Sequence, residues 1–542
     1  EDWSGVRGRV VAIAVGLCFL VITSKATLVA LGADLVKADT PHRAAVAARR
    51  ADIVDRNGDL LATSLTIDSL AVDPSRIWNA SDVAAGIVSV FPELDQAKLT
   101  AKLSNNSRQF DWVQRKISPR QRQALYDLGL EGLRFEKEVQ RIYTGGVLAG
   151  HTLGFTNVDA IGISGLEYIH EERLKVGGDP LKLTIDSGVQ FALEDELKFA
   201  AEAFDVIGAA GVLIEAKTGA VRAIASWPAI DPNRPKDFSE SARLNRAVGA
   251  VYELGSVFKP LTAAAGFEVG ELRPTEVMDV SSPILFGAEK IVDRHPISAR
   301  ATITDIIAQS SNVGTVRIAE RVGARRLRAF FDELGLLSRP DVAFPGAARP
   351  LEPDVWTDLS TATISYGHGV AVSPLALAVS YTAFANQGEI VRPRFVELGP
   401  HDEVEKRRVM SAPTSAVVLE MMRAVVTEGT GKRADVFGYE IAGKTGTAEK
   451  PTVDGYNENR NVNSFVAVFP ASRPEYVVLI VLDEPKALAG EGATAGFNAA
   501  PIAGRFIARV APMLDVVPVL DQPDQTPSQI PGVRAVSDKR AL

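Results

Sequence analysis

Cysteine is almost absent from this chain: 542 residues contain one, Cys18. A lone thiol forms no internal disulfide, holds no iron–sulfur cluster and builds no cysteine-based zinc site. Histidine is scarce as well, with six scattered residues (His42, His151, His170, His295, His368 and His401) and no HExxH pair. Metal chemistry therefore has few ligands, and no metal or cofactor is expected. A basic excess is also missing. Lys and Arg number 59 against 67 Asp and Glu, a formal net charge of −8, which argues against a nucleic-acid-binding surface.

What is present is a globular composition, 46% hydrophobic and 23% charged, with length enough for a large core and about three domains. Val10 to Ser24 carries no charge, Lys25 interrupts, and Ala26 to Ala33 is uncharged again. A helix over the first run alone spans about 22 Å, short of the roughly 30 Å hydrocarbon core. Continued to Ala33 it reaches about 36 Å, with Lys25 able to snorkel to one interface. This favours a retained transmembrane helix over residues 10–33 after a short N-terminus, residues 1–9. A cleaved signal ending near Ala30-Leu31-Gly32 and a buried core helix are weaker readings. Counting Lys and Arg on either side does not set the orientation, because Arg7 and Arg9 precede the span while Lys37, Arg43, Arg49 and Arg50 follow it.

Residues 34–180 mix short strands and polar helices. Asp55-Arg56-Asn57-Gly58 is a turn signal, Ser64 to Asp73 reads as a strand, and Ser118-Pro119 to Gly129 reads as a capped helix. A larger unit, residues 181–514, opens with a hairpin around Thr218-Gly219 and closes with one over Ala471 to Pro474. Helical segments such as Thr304 to Val322 and Leu375 to Asn386 lie between. Early strands, central helices and late strands predict an α+β fold with both hairpins in one antiparallel sheet. The proline-bearing tail, residues 515–542, predicts disorder.

Three short motifs then stand in order: Ser256-Val257-Phe258-Lys259, Ser310-Ser311-Asn312 and Lys444-Thr445-Gly446-Thr447. Each alone is weak, being a solvated helix, a cap or a surface turn as often as chemistry. Together and in this order they resemble the motif set of penicillin-binding proteins and class A β-lactamases, a resemblance that implies a serine acyl-transfer site. Pro260 is comfortable only near a helix start, so a helix is predicted from about Ser256, with its hydroxyl at the positive end. Lys259 falls on the same face. A serine needs a base, and a neutral lysine serves if burial and a positive neighbour such as Lys444 lower its pKa by about 3 units from its reference value. Ser310 and Asn312 suit proton relay and substrate hydrogen bonding. Lys444 to Thr447 is expected on a sheet edge before an irregular stretch, where strand addition can hold an extended peptide. Lys444, Thr445 and Thr447 suit a carboxylate, Gly446 lies within that strand, and the N–H groups of Ser256 and Thr447 suit an oxyanion. Gly438 to Thr445 also matches the phosphate-loop pattern letter for letter, but no helix pattern follows it.

From Arg50 to Pro501 the chain resembles the class B penicillin-binding proteins, membrane-anchored peptidoglycan D,D-transpeptidases. The likeness rests on Arg50-Ala51-Asp52-Ile53-Val54-Asp55-Arg56-Asn57-Gly58, Arg141-Ile142-Tyr143, His151, Gly154, Gly162 to Glu167, Tyr252 to Gly255, Tyr366-Gly367-His368-Gly369 and Ala383 to Pro393, besides the three motifs. The family usually has Gly where Ala51 stands and Pro where Leu254 stands, differences that touch only local loop shape. The resemblance implies a non-catalytic pedestal over residues 34–180, a penicillin-binding transpeptidase domain over 181–514, and a single-pass inner-membrane protein with its catalytic domain in the periplasm. It implies a D-Ala-D-Ala stem-peptide donor and acylation by β-lactams. Ser310-Ser311-Asn312-Val313-Gly314 looks most like the septal, FtsI-type branch, implying FtsW and the FtsQ–FtsL–FtsB subcomplex as partners. An elongation-type transpeptidase, a β-lactam sensor and a β-lactamase are the alternatives.

Overall fold

The computed structural model describes residues 49–520, except Ser282, Pro296, Ala343, Pro400, Val453 and Asp454. Before residue 49 it describes only Ile13, Val15, Gly16, Leu17, Phe19, Leu20 and Thr23, all helical. Among the described residues no helix is long and apolar enough to cross a membrane. Most of the expected span over 10–33 lies outside the described residues, as do residues 521–542 of the expected disordered tail. The start of that tail is tied down: Val516 is buried and the Val519 N–H donates to the Gly438 carbonyl.

The described residues form two compact units, one of residues 68–138, the other of residues 49–67 and 139–520. In the first, helices Ala80–Val90, Gln96–Leu103 and Pro119–Asp127 pack Val83, Ile87, Leu99, Leu103 and Leu125 with Leu70 and Val72. Ser118 caps the third helix in a capping box with Gln121, so Ser-Pro marks its start as expected.

In the second unit, segments that are distant in sequence meet around one carboxylate. Glu167, fully buried, takes the Arg50 Nε at 2.7 Å on one oxygen and the Arg141 Nε at 2.6 Å on the other. Arg50 also reaches Glu171 at 2.7 Å. Charge-assisted bonds to both oxygens offset the desolvation of the buried charges. Gly154 is required nearby: it has φ +71°, and a Cβ there would lie 2.0 Å from the Ser164 carbonyl.

The same unit holds a five-stranded sheet in the order β3-β4-β5-β1-β2, antiparallel throughout. Its strands are β1 (Gly208–Glu215), β2 (Val221–Trp227), β3 (Ala442–Thr452), β4 (Gly455–Phe469) and β5 (Tyr476–Asp483). Both expected hairpins share it. The central β5 alternates its side chains between two apolar cores. Val478, Ile480 and Leu482 face a core with α1 (Ser187–Phe204) and the C-terminal helix Ala499–Val510. Val477, Leu479 and Val481 join the core that holds α2 (Lys259–Glu268), α3 (Asn312–Val322), α4 (Pro374–Ala385) and α5 (Ala412–Thr427).

Two expectations are corrected. The stretch after Thr447 is not irregular: β3 continues to Thr452 and pairs with β4, whose start precedes the expected Asn463. Its base is fastened by Lys450 to Asp483 and Glu484, both at 2.8 Å, charges that sequence periodicity does not reveal. The segment Thr304 to Val322 is not one helix but two, Ile303–Ala308 and α3, broken where Ser310 takes φ +63° and Ser311 caps α3. A non-glycine residue in the left-handed region ends a helix, and the break turns the Ser310 hydroxyl and carbonyl toward a lysine.

Candidate active site

Ser256 lies on a tight 3₁₀ turn, Gly255–Phe258, and α2 proper starts at Lys259 with Pro260 in its first turn. The helical start is thus three residues later than expected, with the serine on the turn that leads into it. Gly255 has φ +64°, and a Cβ there would sit 2.9 Å from the Thr447 carbonyl. At Gly446 a Cβ would fall 2.2 Å from the Leu254 carbonyl and 2.4 Å from Ser464 Oγ. Two glycines therefore let the serine turn and β3 touch backbone to backbone. The buried Tyr381 of α4 fixes the turn from behind, its hydroxyl donating to the Val257 carbonyl at 2.6 Å.

Lys259 is completely buried. Its ammonium donates to the Ser310 carbonyl, to Asn312 Oδ1 at 2.8 Å and to Ser310 Oγ at 3.2 Å. Lys444, also completely buried, donates to the same Ser310 Oγ at 3.0 Å and to the Thr445 carbonyl at 3.0 Å. One hydroxyl therefore stands between two lysines, its two lone pairs matching two donors. Burial, then the charge of Lys444, holds Lys259 well below the usual lysine range, against a smaller opposing pull from Asp293. Burial pushes Lys444 down to about 7. Two ammonium groups so close to one oxygen disfavour double protonation, which favours a neutral amine on one of the two. His368 is pushed down to about 4, by burial and then by the charge of Lys259. It is too weak a base to rival a lysine here.

Ser256 is partly exposed. Lys259 directs its donors to Ser310 and Asn312 rather than to Ser256.

β3 is the edge strand of its sheet, paired on one side by β4 with Lys444 opposite Val466 and Thr447 opposite Asn463. Thr445 Oγ1 meets Thr430 Oγ1 at 2.7 Å, and Thr447 Oγ1 accepts from the Ala495 N–H at 3.0 Å. Gly446 lies between them against the serine turn. The phosphate-loop pattern is a coincidence of letters: Lys444 and Thr445 lie within a strand, whereas a phosphate loop runs into a helix. Asp293, Thr430 and Tyr381 were missed by sequence reasoning. Thr430 sits in a Gly-Thr-Gly turn and Tyr381 in an apolar helix, contexts with no catalytic pattern, and Asp293 stands in a segment of short strands.

Residues 209–508 match the penicillin binding protein transpeptidase domain, and residues 45–178 match the penicillin-binding protein dimerisation domain. The chain is 39% identical over 531 residues to the probable peptidoglycan D,D-transpeptidase FtsI of Caulobacter vibrioides, covering 95% of this chain and 90% of that one. It is 29% identical to FtsI of Escherichia coli K12, covering 87% and 85%. Among solved structures it is similar to penicillin binding protein 3 of Mycobacterium tuberculosis complexed with ampicillin, at 27% identity and a TM-score of 0.70, covering 88% of this chain and 97% of that one. With both domains matched, a relative alike over nearly its whole length and a shared fold, the chain belongs to the class B penicillin-binding proteins, the peptidoglycan D,D-transpeptidases.

Proposed function

We propose that this chain is the septal transpeptidase of its cell and that Ser256 is its nucleophile. The observation that carries the site assignment is the Ser310 hydroxyl held between two fully buried lysines beside the serine turn. Neutral Lys259 takes the Ser256 proton as Oγ attacks the penultimate carbonyl of a stem peptide ending in D-Ala-D-Ala. The Ser256 and Thr447 N–H groups receive the oxyanion. The C–N bond then breaks, and the proton returns from Lys259 through Ser310 to the departing D-Ala amine. An amine of a second stem peptide attacks the ester, restoring Ser256 and forming the cross-link. Lys444, Thr445 and Thr447 hold the donor's terminal carboxylate, and Gly446 lets that strand lie against the serine turn. β-Lactams acylate the same serine, a reading supported by the similar mycobacterial protein having been solved in complex with ampicillin.

In this reading residues 34–180 are the pedestal and 181–514 the transpeptidase domain, anchored through residues 10–33 in the inner membrane with the catalytic domain in the periplasm. FtsW and FtsQ–FtsL–FtsB are its partners. The Asn at 312 and the FtsI relatives support the septal branch. Fluorescent penicillin labelling tests the nucleophile: Ser256→Ala abolishes labelling and leaves the thermal melt essentially unchanged. Label retained on another residue rules the assignment out. Depletion in the source bacterium tests the branch, with filaments expected and rounded cells counting against it.

A further inference from the structure

The loop after strand Glu289–Ile291 brings one carboxylate to the broken helix that carries the second motif. Asp293 Oδ2 accepts the Ser311 hydroxyl at 2.7 Å, and Oδ1 accepts the Val313 N–H at 3.0 Å. The neighbouring Val292 carbonyl accepts from the Asn312 side-chain amide at 3.2 Å. The same Ser311 Oγ accepts the Gly314 N–H at 2.9 Å, which makes it the cap of α3. A carboxylate at a helix N-terminus meets unpaired N–H groups and the positive end of the helix dipole. Each residue of the motif is thereby fixed. Ser311 is held by its hydroxyl and Asn312 by its amide, and Ser310, just before them, is forced into its left-handed conformation with its carbonyl on Lys259.

We propose that Asp293 is a positioning residue for acylation: its carboxylate clamps the turn that presents the Ser310 hydroxyl and Asn312 Oδ1 to the ammonium of Lys259. Without it, the Ser311 hydroxyl and the Val313 N–H lose their acceptor, and the turn is free to relax toward a continuous helix. Relaxation would draw the Ser310 hydroxyl out from between the lysines.

The clamp also brings a negative charge to this site. The titratable groups acting on or against Lys259 are Lys444 from β3, Asp293 from this loop and His368 from the turn after helix Asp358–Ser365. Lys444 and burial favour the neutral amine, and Asp293 favours the ammonium. Asp293 thus orders the relay and tempers the loss of the proton. This inference rests on Lys259 being the base, which Lys259→Arg tests separately.

Penicillin acylation rates measured against pH on the full-length protein test the proposal. Asp293→Asn keeps the shape and an oxygen for the Val313 N–H but removes the charge, so the acid limb of the rate profile moves to lower pH. Asp293→Ala removes the clamp, and acylation falls about tenfold or more at the pH optimum, as displaced catalytic groups produce. An acid limb unmoved in Asp293→Asn, or a wild-type rate in Asp293→Ala, overturns the proposal. If the alanine variant does not fold, the asparagine profile alone decides. If Lys259→Arg still acylates, the base assignment fails instead, and the two failures are told apart.

Discussion

Replacing Lys259 by arginine separates a base from a mere positive charge. Arginine keeps the charge and can reach Ser310, but it cannot give up its proton at any accessible pH. Acylation by penicillin should therefore fall by about 10²–10⁴-fold, nearly as far as in Lys259→Ala, as expected for loss of a general base. The wild-type rate should also show an acid limb. Folded Lys259 is neutral at pH values where a free lysine is charged, because burial and Lys444 both penalise its ammonium. Its base form is present above the lowered pKa and is lost as pH falls through it, so acylation drops toward acid and holds toward alkaline pH. Stopped-flow acylation across pH reads both points. A rate that climbs only near pH 10 would show a lysine of ordinary basicity and sink the assignment. At this scale the sequence was informative about residue types and silent about partners. Ser256, Lys259, Ser310, Asn312 and Lys444 stand out by order and spacing. That Lys259 bonds Ser310 and Asn312 rather than Ser256, and that Asp293 clamps the turn, depends on side-chain contacts between residues far apart along the chain.

Among the elements, the contact between the serine turn and β3 is set by missing side chains. Gly446→Ala puts a methyl group 2.2 Å from the Leu254 carbonyl, a backbone atom with no room to give because Ser464 Oγ already bonds it at 3.1 Å. The strand must move away from the turn, which carries the Ser256 and Thr447 N–H groups apart. Overpacking of this kind costs about 1–3 kcal/mol, which lowers the melting temperature without unfolding the protein. Acylation should fall more steeply, by about 10²-fold, since small displacements of aligned groups are costly. Calorimetry together with labelling kinetics checks this. A rate that falls only as far as the folded fraction would mean the contact is structural and nothing more. Element-level reading of the sequence succeeded where the pattern was local. The hairpin around Thr218-Gly219 and the capped helix from Ser118 follow from turn residues and from a Ser-Pro start. It failed where tertiary partners override local preference, as in the extension of β3 and β4 held by Lys450 and in the break at Ser310.

For the whole molecule, the apolar N-terminus sets a test that separates tethering from chemistry. A chain beginning at Asp34 retains every residue of the proposed acylation site and should be soluble and label with penicillin at the full-length rate. It should nevertheless fail to support division, because the proposed septal role needs the membrane and partner helices. Joining it to an unrelated transmembrane helix distinguishes the two needs: rescue means tethering suffices, and failure points to side chains of residues 10–33, where the small residues Ala12 and Gly16 stand four positions apart in sequence. Loss of labelling in the shortened chain would show that the N-terminus shapes the active site and would count against the separation. By itself the sequence determined the composition class, the α+β alternation, the hairpins and the three motifs with their order, all of which are read from neighbours or from fixed short spacings. Only the tertiary structure decided that Arg50, Arg141 and Glu167 close on one another, that β3 lies at the sheet edge against Gly255, and that a single hydroxyl is shared by two buried lysines. The physical reason is that burial and long-range contact set these properties. A lysine reads as a surface charge in any local window, and it acquires a lowered pKa only when residues up to 185 positions away (444 − 259) fold over it and exclude water.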